Sequence, residues 1–269
     1  MAAMSSTDLR LPRLAARLTD YWLTVLRRTW RGTVITSFLQ PFLFLTAMGV
    51  GLGSFVDSSS SDAALGGVSY LAFLAPGLLA TTALQTAVGE STYPVMAGFK
   101  WQRFYYSMAA TPLDPTDIVA AQLAFIAVRI LSSCGVFLLV MAAYGAVHDP
   151  LGGALALAVV LLVGMAHAAP VVGLTARLKN ENGFSLIFRL GLLPMSLFSG
   201  AFFPVSQLPS VVAWLAYVTP IWHGVELTRM LTLGDVSPWP ALGHLCYLVV
   251  CASAGWLFAV GGFRRRLAQ

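Results

Sequence analysis

The chain has 269 residues, of which 58% are hydrophobic and only 10% are charged. Charged residues make up about a quarter of an ordinary soluble domain, so this composition excludes a water-soluble globular protein and indicates an all-α integral membrane protein. The net charge of +5 does not indicate a nucleic-acid partner, because the basic residues are divided among alternating ends of the apolar segments.

Residues 1–33 come before the first long apolar run and have helical periodicity. Leu11, Leu14 and Leu18 recur at three- and four-residue spacing, whereas Arg10 and Arg17 fall on the opposite side of the same helix. An apolar face opposite a basic face is typical of a helix that lies in the membrane surface. We therefore expect residues 1–33 to form a cytoplasmic amphipathic connecting helix.

Six apolar segments are long enough to cross a bilayer, for which about 20 residues are needed. They form one predicted transmembrane domain over residues 34–266, with spans at about 34–55, 69–93, 118–145, 153–176, 184–201 and 240–262. The segments predicted to face inward hold 13 of the 16 basic residues. By the positive-inside rule, both termini are expected in the cytoplasm of a multi-pass cell-membrane protein.

The loop after the second predicted span is rich in large side chains. It holds Phe99, Lys100, Trp101, Arg103, Phe104, Tyr105 and Met108. Aromatic and arginine side chains carry much of the energy of protein interfaces, which favours a short cytoplasmic helix that docks on a soluble partner. An aromatic helix in the inner headgroup layer fits the composition equally well.

Few ionisable residues fall at membrane depth, where such residues are candidate functional groups. They are Glu90, Arg129, His167 and Arg189. We expect Glu90 to pair with Arg129 or Arg189 and so to hold helices together. So few polar groups are apparent along any path that we predict an amphiphilic substrate, such as a drug, an antibiotic, a lipid or a lipid-linked glycan.

The stretch from residue 202 to residue 239 is too apolar for an ordinary loop and too often interrupted by proline for a span. It predicts two short helices at about 207–218 and 221–233 that dip into the outer face of the membrane. Glu226 and Arg229 are expected to pair across one helical turn. The candidate residues of this exit segment are Phe203, Pro204, Pro209, Trp214, Pro220, His223, Glu226 and Arg229.

The sequence has no Gly-x-x-x-x-Gly-Lys-Ser/Thr phosphate loop and no paired histidine or cysteine spacing typical of a metal site. We assign it no catalytic, cofactor or metal residues, and we expect ATP hydrolysis to take place on another chain. A membrane enzyme that modifies lipid, with Glu90, Arg129 and His167 as its polar site, is one alternative. A proton-coupled carrier is another, although acids suitable for proton transfer are few.

Two segments resemble the type-2 ABC export permeases, similar to the daunorubicin-resistance and nodulation lipo-oligosaccharide export permeases. The first is the inner loop from Ala109 to Asp114, followed by Asp117; the second runs from Ser199 to Val205 and continues through Leu208, Pro209 and Pro220. The resemblance covers about residues 20–266. In this family an acidic residue is common where the chain has Lys100, Trp101 and Gln102.

The resemblance implies that residues 99–108 form the coupling helix and that the exit segment forms two re-entrant helices. It also implies two ATPase subunits that bind ATP and Mg, and a second permease copy in a homodimer or heterodimer. The expected function is therefore that of a membrane permease subunit of an ATP-driven exporter.

Overall fold

The computed structural model describes residues 38, 39, 41–52 and 67–268, and these residues are mostly helical with no strand among them. The predicted helix at 1–33 and residues 34–37, 40 and 53–55 of the first predicted span lie outside the described residues. We number the helices α1 (41–52), α2 (Tyr70–Ser91), α3 (Tyr93–Lys100), α4 (Phe104–Ala109), α5 (Pro115–Ala143), α6 (Pro150–Arg177), α7 (184–197), α8 (Ser210–Val218), α9 (Pro220–Leu233) and α10 (Pro238–Leu267).

Four helical stretches are long and apolar enough to cross a membrane, and they match four of the predicted spans. They are α2 together with α3, then α5, α6 and α10. Helix α7, predicted as a span over 184–201, is helical only to residue 197 and contains a π-helical turn over Ile187–Leu192. It is roughly 21 Å long at about 1.5 Å per residue, which is shorter than the hydrocarbon layer. A count of six spans therefore stays a prediction.

Proline and aspartate set the starts of two long helices. Asp114 accepts a hydrogen bond from the Thr116 amide, and the Asp117 carboxylate accepts one from the Asp114 amide, which forms a capping box. Asp149 caps α6 by accepting a hydrogen bond from the Leu151 amide at 3.0 Å. Both helices begin with proline, whose missing amide costs nothing in the first turn.

Helices α6 and α10 pack closely because glycines line their contact. A Cβ atom added at Gly255 would lie 2.5 Å from Pro170 Cδ, and one added at Gly173 would lie 2.5 Å from the Phe258 ring. At Gly262 the added atom would lie 2.8 Å from the Gly173 carbonyl oxygen. Small residues let helix backbones approach in this way in membrane bundles.

Polar contacts between loops define two ends of the bundle. At one end Lys100 pairs with Glu181 at 2.6 Å, Arg264 lies 3.7 Å from Asp114, and Arg266 donates to the Leu178 carbonyl. This basic end also carries Arg103, Arg177, Lys179 and Arg265. At the opposite end the His148 amide donates to the Thr232 carbonyl at 2.9 Å. The division agrees with the charge pattern from which the inner and outer loops were predicted.

Helices α8 and α9 form a hairpin, as the proline positions predicted. The hairpin turns between Val218 and Pro220, and the Tyr247 hydroxyl donates a hydrogen bond to the Val218 carbonyl. Tyr247 lies about 14 Å along α10 from its start at Pro238, at about 1.5 Å per residue. The far end of α9, at Thr232, returns to the loop at His148. The turn of the hairpin is thus deep in the bundle and one of its ends is at the surface.

Helices α2 and α3 are separated by a break at Thr92, whose φ and ψ are −100° and −96°. The Thr92 hydroxyl donates to the Val88 carbonyl at 3.0 Å, and the Thr175 hydroxyl of α6 donates to the Ser91 carbonyl at 2.8 Å. Side chains therefore satisfy carbonyls left at the end of α2. The break is buried and held by a neighbouring helix.

Candidate functional site

A cavity of about 350 Å³ lies between α1, α2, α5 and the end of α7. Helix α2 turns one polar face toward the cavity. The polar residues of this face recur every three to five positions, so they lie on the same side of the helix. The described residues that line the cavity are Pro41, Phe44, Leu78, Thr81, Thr82, Gln85, Thr86, Gly89, Glu90, Arg129, Ser133, Phe137, Ser196 and Phe202. Measured along α2 from Leu78 to Glu90, it is about 18 Å long at about 1.5 Å per residue.

The polar face corrects the expectation that few polar groups line a path through the protein. Thr81, Thr82, Gln85 and Thr86 are polar without being ionisable, and the structure brings them to one cavity. Their helical spacing inside an apolar span was a signal that the sequence contained. The lining of this cavity is therefore mixed, with polar groups of α2 beside apolar side chains.

An ion pair lies at one end of the cavity. Arg129 Nε donates to Glu90 Oε1 at 2.9 Å, and both side chains are mostly buried. Of the two partners considered for Glu90, the structure selects Arg129, because α5 runs alongside α2 and presents Arg129, Ser133 and Phe137 on one face. Arg189 is exposed on α7 and does not contribute to the lining.

His167 lies apart from this ion pair. It is buried in α6, and its Nδ1 contacts the Val163 carbonyl at 2.8 Å within the same helix. His167 is not among the described residues that line the cavity. The polar site of Glu90, Arg129 and His167 considered for a lipid-modifying enzyme is therefore not assembled in this structure.

The aromatic inner segment is a pair of short helices, α3 and α4, where the sequence predicted one. Arg103 links them in the left-handed conformation, with φ of 55°, which a residue with a side chain rarely adopts. Its guanidinium lies 5.5 Å from the centre of the Tyr106 ring. Lys100, Trp101 and Arg103 are exposed at this turn, which lies at the basic end of the bundle.

Other aromatic residues of the segment face inward. Phe99 and Tyr105 are buried, and their rings pack on Phe263 of α10 with centroids 4.9 and 5.1 Å away. The Tyr105 hydroxyl donates to Gln122 Oε1 at 2.8 Å, while Phe104 and Met108 are half-buried. Phe99 and Tyr105 therefore support the turn from within, whereas the side chains at the turn itself, residues 100–103, are exposed.

Arg229 joins the hairpin to the rest of the bundle. Its guanidinium donates to Glu226 Oε1 and to the Gly200 carbonyl, both at 2.7 Å, and to the Phe73 carbonyl at 3.3 Å. The same group lies 3.9 Å from the centre of the Phe73 ring. The predicted Glu226–Arg229 ion pair is thus present, and it is part of a contact between α9, α2 and the loop that begins at Phe198.

Histidine and aromatic side chains connect the hairpin to α10. His223 Nδ1 and His244 Nδ1 lie 2.8 Å apart, so one of these nitrogens must carry the hydrogen of the bond between them. The His223 ring stacks on Tyr247 at 3.9 Å. Among the other exit-segment residues, Phe203, Pro204 and Pro220 are half-buried, while Pro209 and Trp214 are exposed.

Comparison with known proteins assigns the family. The family model described as "ABC-2 type transporter" matches residues 17–233. The chain belongs to this family. The matched range contains the cavity lining, the α3–α4 turn and the hairpin. The chain is therefore a membrane permease subunit of an ABC exporter, with a transport role rather than a catalytic one.

Several curated relatives of this ABC-2 permease carry the name Nodulation protein J. The protein from Sinorhizobium fredii (strain NBRC 101917 / NGR234) is 34% identical over 253 residues, which is 91% of this chain and 94% of the relative. The protein from Rhizobium leguminosarum bv. trifolii is 32% identical over 257 residues, which is 92% of this chain and 94% of the relative. The protein from Rhizobium meliloti (strain 1021) is 31% identical, with 91% and 94% covered.

Proposed function

We propose that this ABC-2 permease moves an amphiphilic substrate out of the cytoplasm or the inner leaflet, driven by ATP hydrolysis on separate ATPase subunits. The observation that carries the proposal is the exposed α3–α4 turn at the basic end of a family member. Trp101 is 54% exposed there, between the exposed cations of Lys100 and Arg103. An exposed tryptophan flanked by cations has the composition of an interface hot spot.

The working assembly holds two permease copies and two ATPase subunits, with ATP and Mg bound to the ATPases. ATP can drive transport only if the ATP-bound partner binds one permease conformation more tightly than another. A shift of the conformational equilibrium from 1:99 to 99:1 needs about 5.5 kcal/mol of differential binding. The buried aromatic packing of Phe99 and Tyr105 on Phe263 supports the turn as the place that receives this force.

The protein is oriented with its basic end in the cytoplasm and both termini on that side of the cell membrane. The clustering of Lys100, Arg177 and the three arginines of 264–266 at one end supports this orientation. The α8–α9 hairpin then enters from the outer face, where it shapes the exit. Exposed Trp214 and Trp239 on the hairpin side fit the interfacial preference of tryptophan.

A pair of tryptophan variants tests the docking site. Tagged permease in nanodiscs is titrated with its copurifying ATPase, and binding and ATPase stimulation are measured for the Trp101→Ala and Trp214→Ala variants. A hot-spot residue contributes at least about 2 kcal/mol, so Trp101→Ala is expected to weaken binding about 30-fold. Trp214 is 64% exposed on the hairpin and serves as the matched control.

Equal binding by the wild type and both variants would exclude the α3–α4 turn as the ATPase site. Export by the permease alone, without dependence on ATP, would overturn ATP-driven export itself. Each variant is heated, and the folded fraction that remains is measured by size-exclusion chromatography. This control shows whether a loss of binding reflects loss of the fold.

A further inference from the structure

A second cavity is an open groove on the side of the helix bundle, between α5, α6 and α10, and we call it the α5–α10 groove. Its volume is about 670 Å³. The described residues that line it are Ala120, Leu123, Ala124, Ala127, Leu162, Met165, Ala169, Ala252, Ser253, Trp256 and Leu257. Apart from Ser253 these side chains are apolar, so the groove suits hydrocarbon rather than water.

The groove lies in the half of the bundle next to the basic end. Arg264 of α10 donates to the Thr116 hydroxyl of α5 at 3.2 Å, which fixes one level common to both helices. At about 1.5 Å per residue, the groove begins about 6 Å above this level, at Ala120, and ends about 18 Å above it, at Ala252. Half of a hydrocarbon layer is about 15 Å thick, so most of the groove is level with a single leaflet.

The end of the groove next to this level is positively charged. Arg264 comes seven residues after Leu257 and eleven after Ser253, about two and three helical turns, so it lies on the groove side of α10. Thr116 comes four residues before Ala120 and lies on the groove side of α5 for the same reason. The ends of the three helices here hold four arginines and two aspartates: Arg177, Arg264, Arg265, Arg266, Asp114 and Asp117.

The Arg264 guanidinium is accessible to an anionic ligand. Its side chain is 60% exposed, and its contact with the Asp114 carboxylate is 3.7 Å long. An exposed ion pair of this kind contributes little stability, and a guanidinium has five N–H donors, so a phosphate oxygen can bind beside Thr116. Basic pockets between transmembrane helices on the cytoplasmic side commonly bind anionic lipid head groups.

We propose that the α5–α10 groove binds an anionic phospholipid, with an acyl chain against Trp256 and Leu257 and the phosphate at Arg264. This lipid is a bound partner of the permease and is distinct from the exported substrate. A zwitterionic phospholipid binds less tightly, because its ammonium group adds a positive charge beside the arginines. The proposed orientation places the lipid in the inner leaflet, whereas its binding requires neither that orientation nor the ATPase.

Quenching of Trp256 tests the proposal, since Trp256 is the one tryptophan among the described residues that line the groove. The permease alone is placed in nanodiscs of phosphatidylcholine that contain a small share of a phospholipid with brominated chains, either phosphatidylglycerol or phosphatidylcholine. The difference in emission between the wild type and Trp256→Phe isolates the signal of Trp256. Brominated phosphatidylglycerol should quench this signal at a mole fraction at least about fivefold lower than brominated phosphatidylcholine, which is the effect of about one cation near the surface.

Two pairs of variants separate the charge from the groove. Arg264→Gln should abolish the preference for phosphatidylglycerol, whereas Arg189→Gln, at an exposed arginine of α7, should retain it. Ala124→Phe places a ring in the groove and should reduce quenching of Trp256 by both lipids. Ala142→Phe, at an exposed alanine of α5 that does not line the groove, should leave quenching unchanged.

Three results would overturn the proposal. Equal quenching by the two lipids would remove the selection for an anionic head group, and an unchanged preference in Arg264→Gln would remove the assigned phosphate contact. Trp256 emission that neither lipid quenches would show that another chain covers the groove. None of these results bears on ATP-driven export, and a failure of ATPase docking would leave the lipid site standing.

Discussion

Replacing Arg229 should show how strongly the hairpin is fixed to the bundle. Arg229→Met keeps a long side chain and removes two hydrogen bonds of 2.7 Å, to Glu226 and to the Gly200 carbonyl. It also removes the contact with the Phe73 ring at 3.9 Å. The Arg229 side chain is 11% exposed, so solvent screens these interactions little.

Removing one partner of a buried ion pair typically costs about 3 to 5 kcal/mol, because the remaining charge stays buried. We expect a loss of this size in the free energy of unfolding of Arg229→Met, measured in mixed detergent micelles. The Glu226 side chain is 29% exposed, which places the expected loss near the lower value. Arg189→Met, at an exposed arginine, should change stability by less than about 0.5 kcal/mol.

A double-mutant cycle separates the ion pair from the other contacts of Arg229. Adding Glu226→Gln to Arg229→Met removes the unpaired carboxylate, so the double variant should recover about 1 to 2 kcal/mol relative to Arg229→Met. A loss below about 1 kcal/mol for Arg229→Met would refute the reasoning. So would effects of the two substitutions that simply add.

Two further predictions concern helix packing and pH. In the same unfolding assay, Gly255→Leu should lower the free energy of unfolding by at least about 2 kcal/mol, because its Cβ would lie 2.5 Å from Pro170 of α6. Gly243→Leu is the control, because a Cβ at that position meets open space. The hydrogen bond from Lys100 lowers the pKa of Glu181. The stability that this pair adds is therefore fully present above the usual glutamate pKa of about 4.3 and is lost as the pH falls through the lowered pKa. Glu181→Gln should therefore be less stable than the wild type at pH 7, and the difference in stability should shrink as the pH falls below about 4.3. A difference that stays constant as the solution is acidified would contradict this assignment.

Much of the helical layout could be predicted from the sequence, because span length and proline position are properties of the local chain. The apolar runs indicated the four long helical stretches, and Pro209 and Pro220 placed the hairpin helices within a few residues. Helix α7 is shorter than predicted because Gly200, with φ of 81°, lies in a non-helical segment that follows it. Apolar composition alone does not reveal where a helix stops inside an apolar run.

The candidate site was less predictable because it depends on which helix faces meet. The choice of Arg129 over Arg189 as the partner of Glu90 follows from the packing of α5 beside α2. The burial of Tyr105 follows from its contact with Phe263, which lies far away in the sequence. Neither contact has a local sequence signal, whereas the polar face of α2 had one in the helical spacing of its polar residues.

The break at Thr92 gives this permease a jointed transmembrane element. Helices α2 and α3 together form a stretch of 31 residues, about 46 Å long, which exceeds a hydrocarbon layer of about 30 Å. The break falls two residues after Glu90, at one end of the cavity, and the Thr175 hydroxyl of α6 donates a hydrogen bond to the Ser91 carbonyl beside it. The α3–α4 turn at the basic end and the polar face of α2 therefore belong to one helical stretch that bends at Thr92.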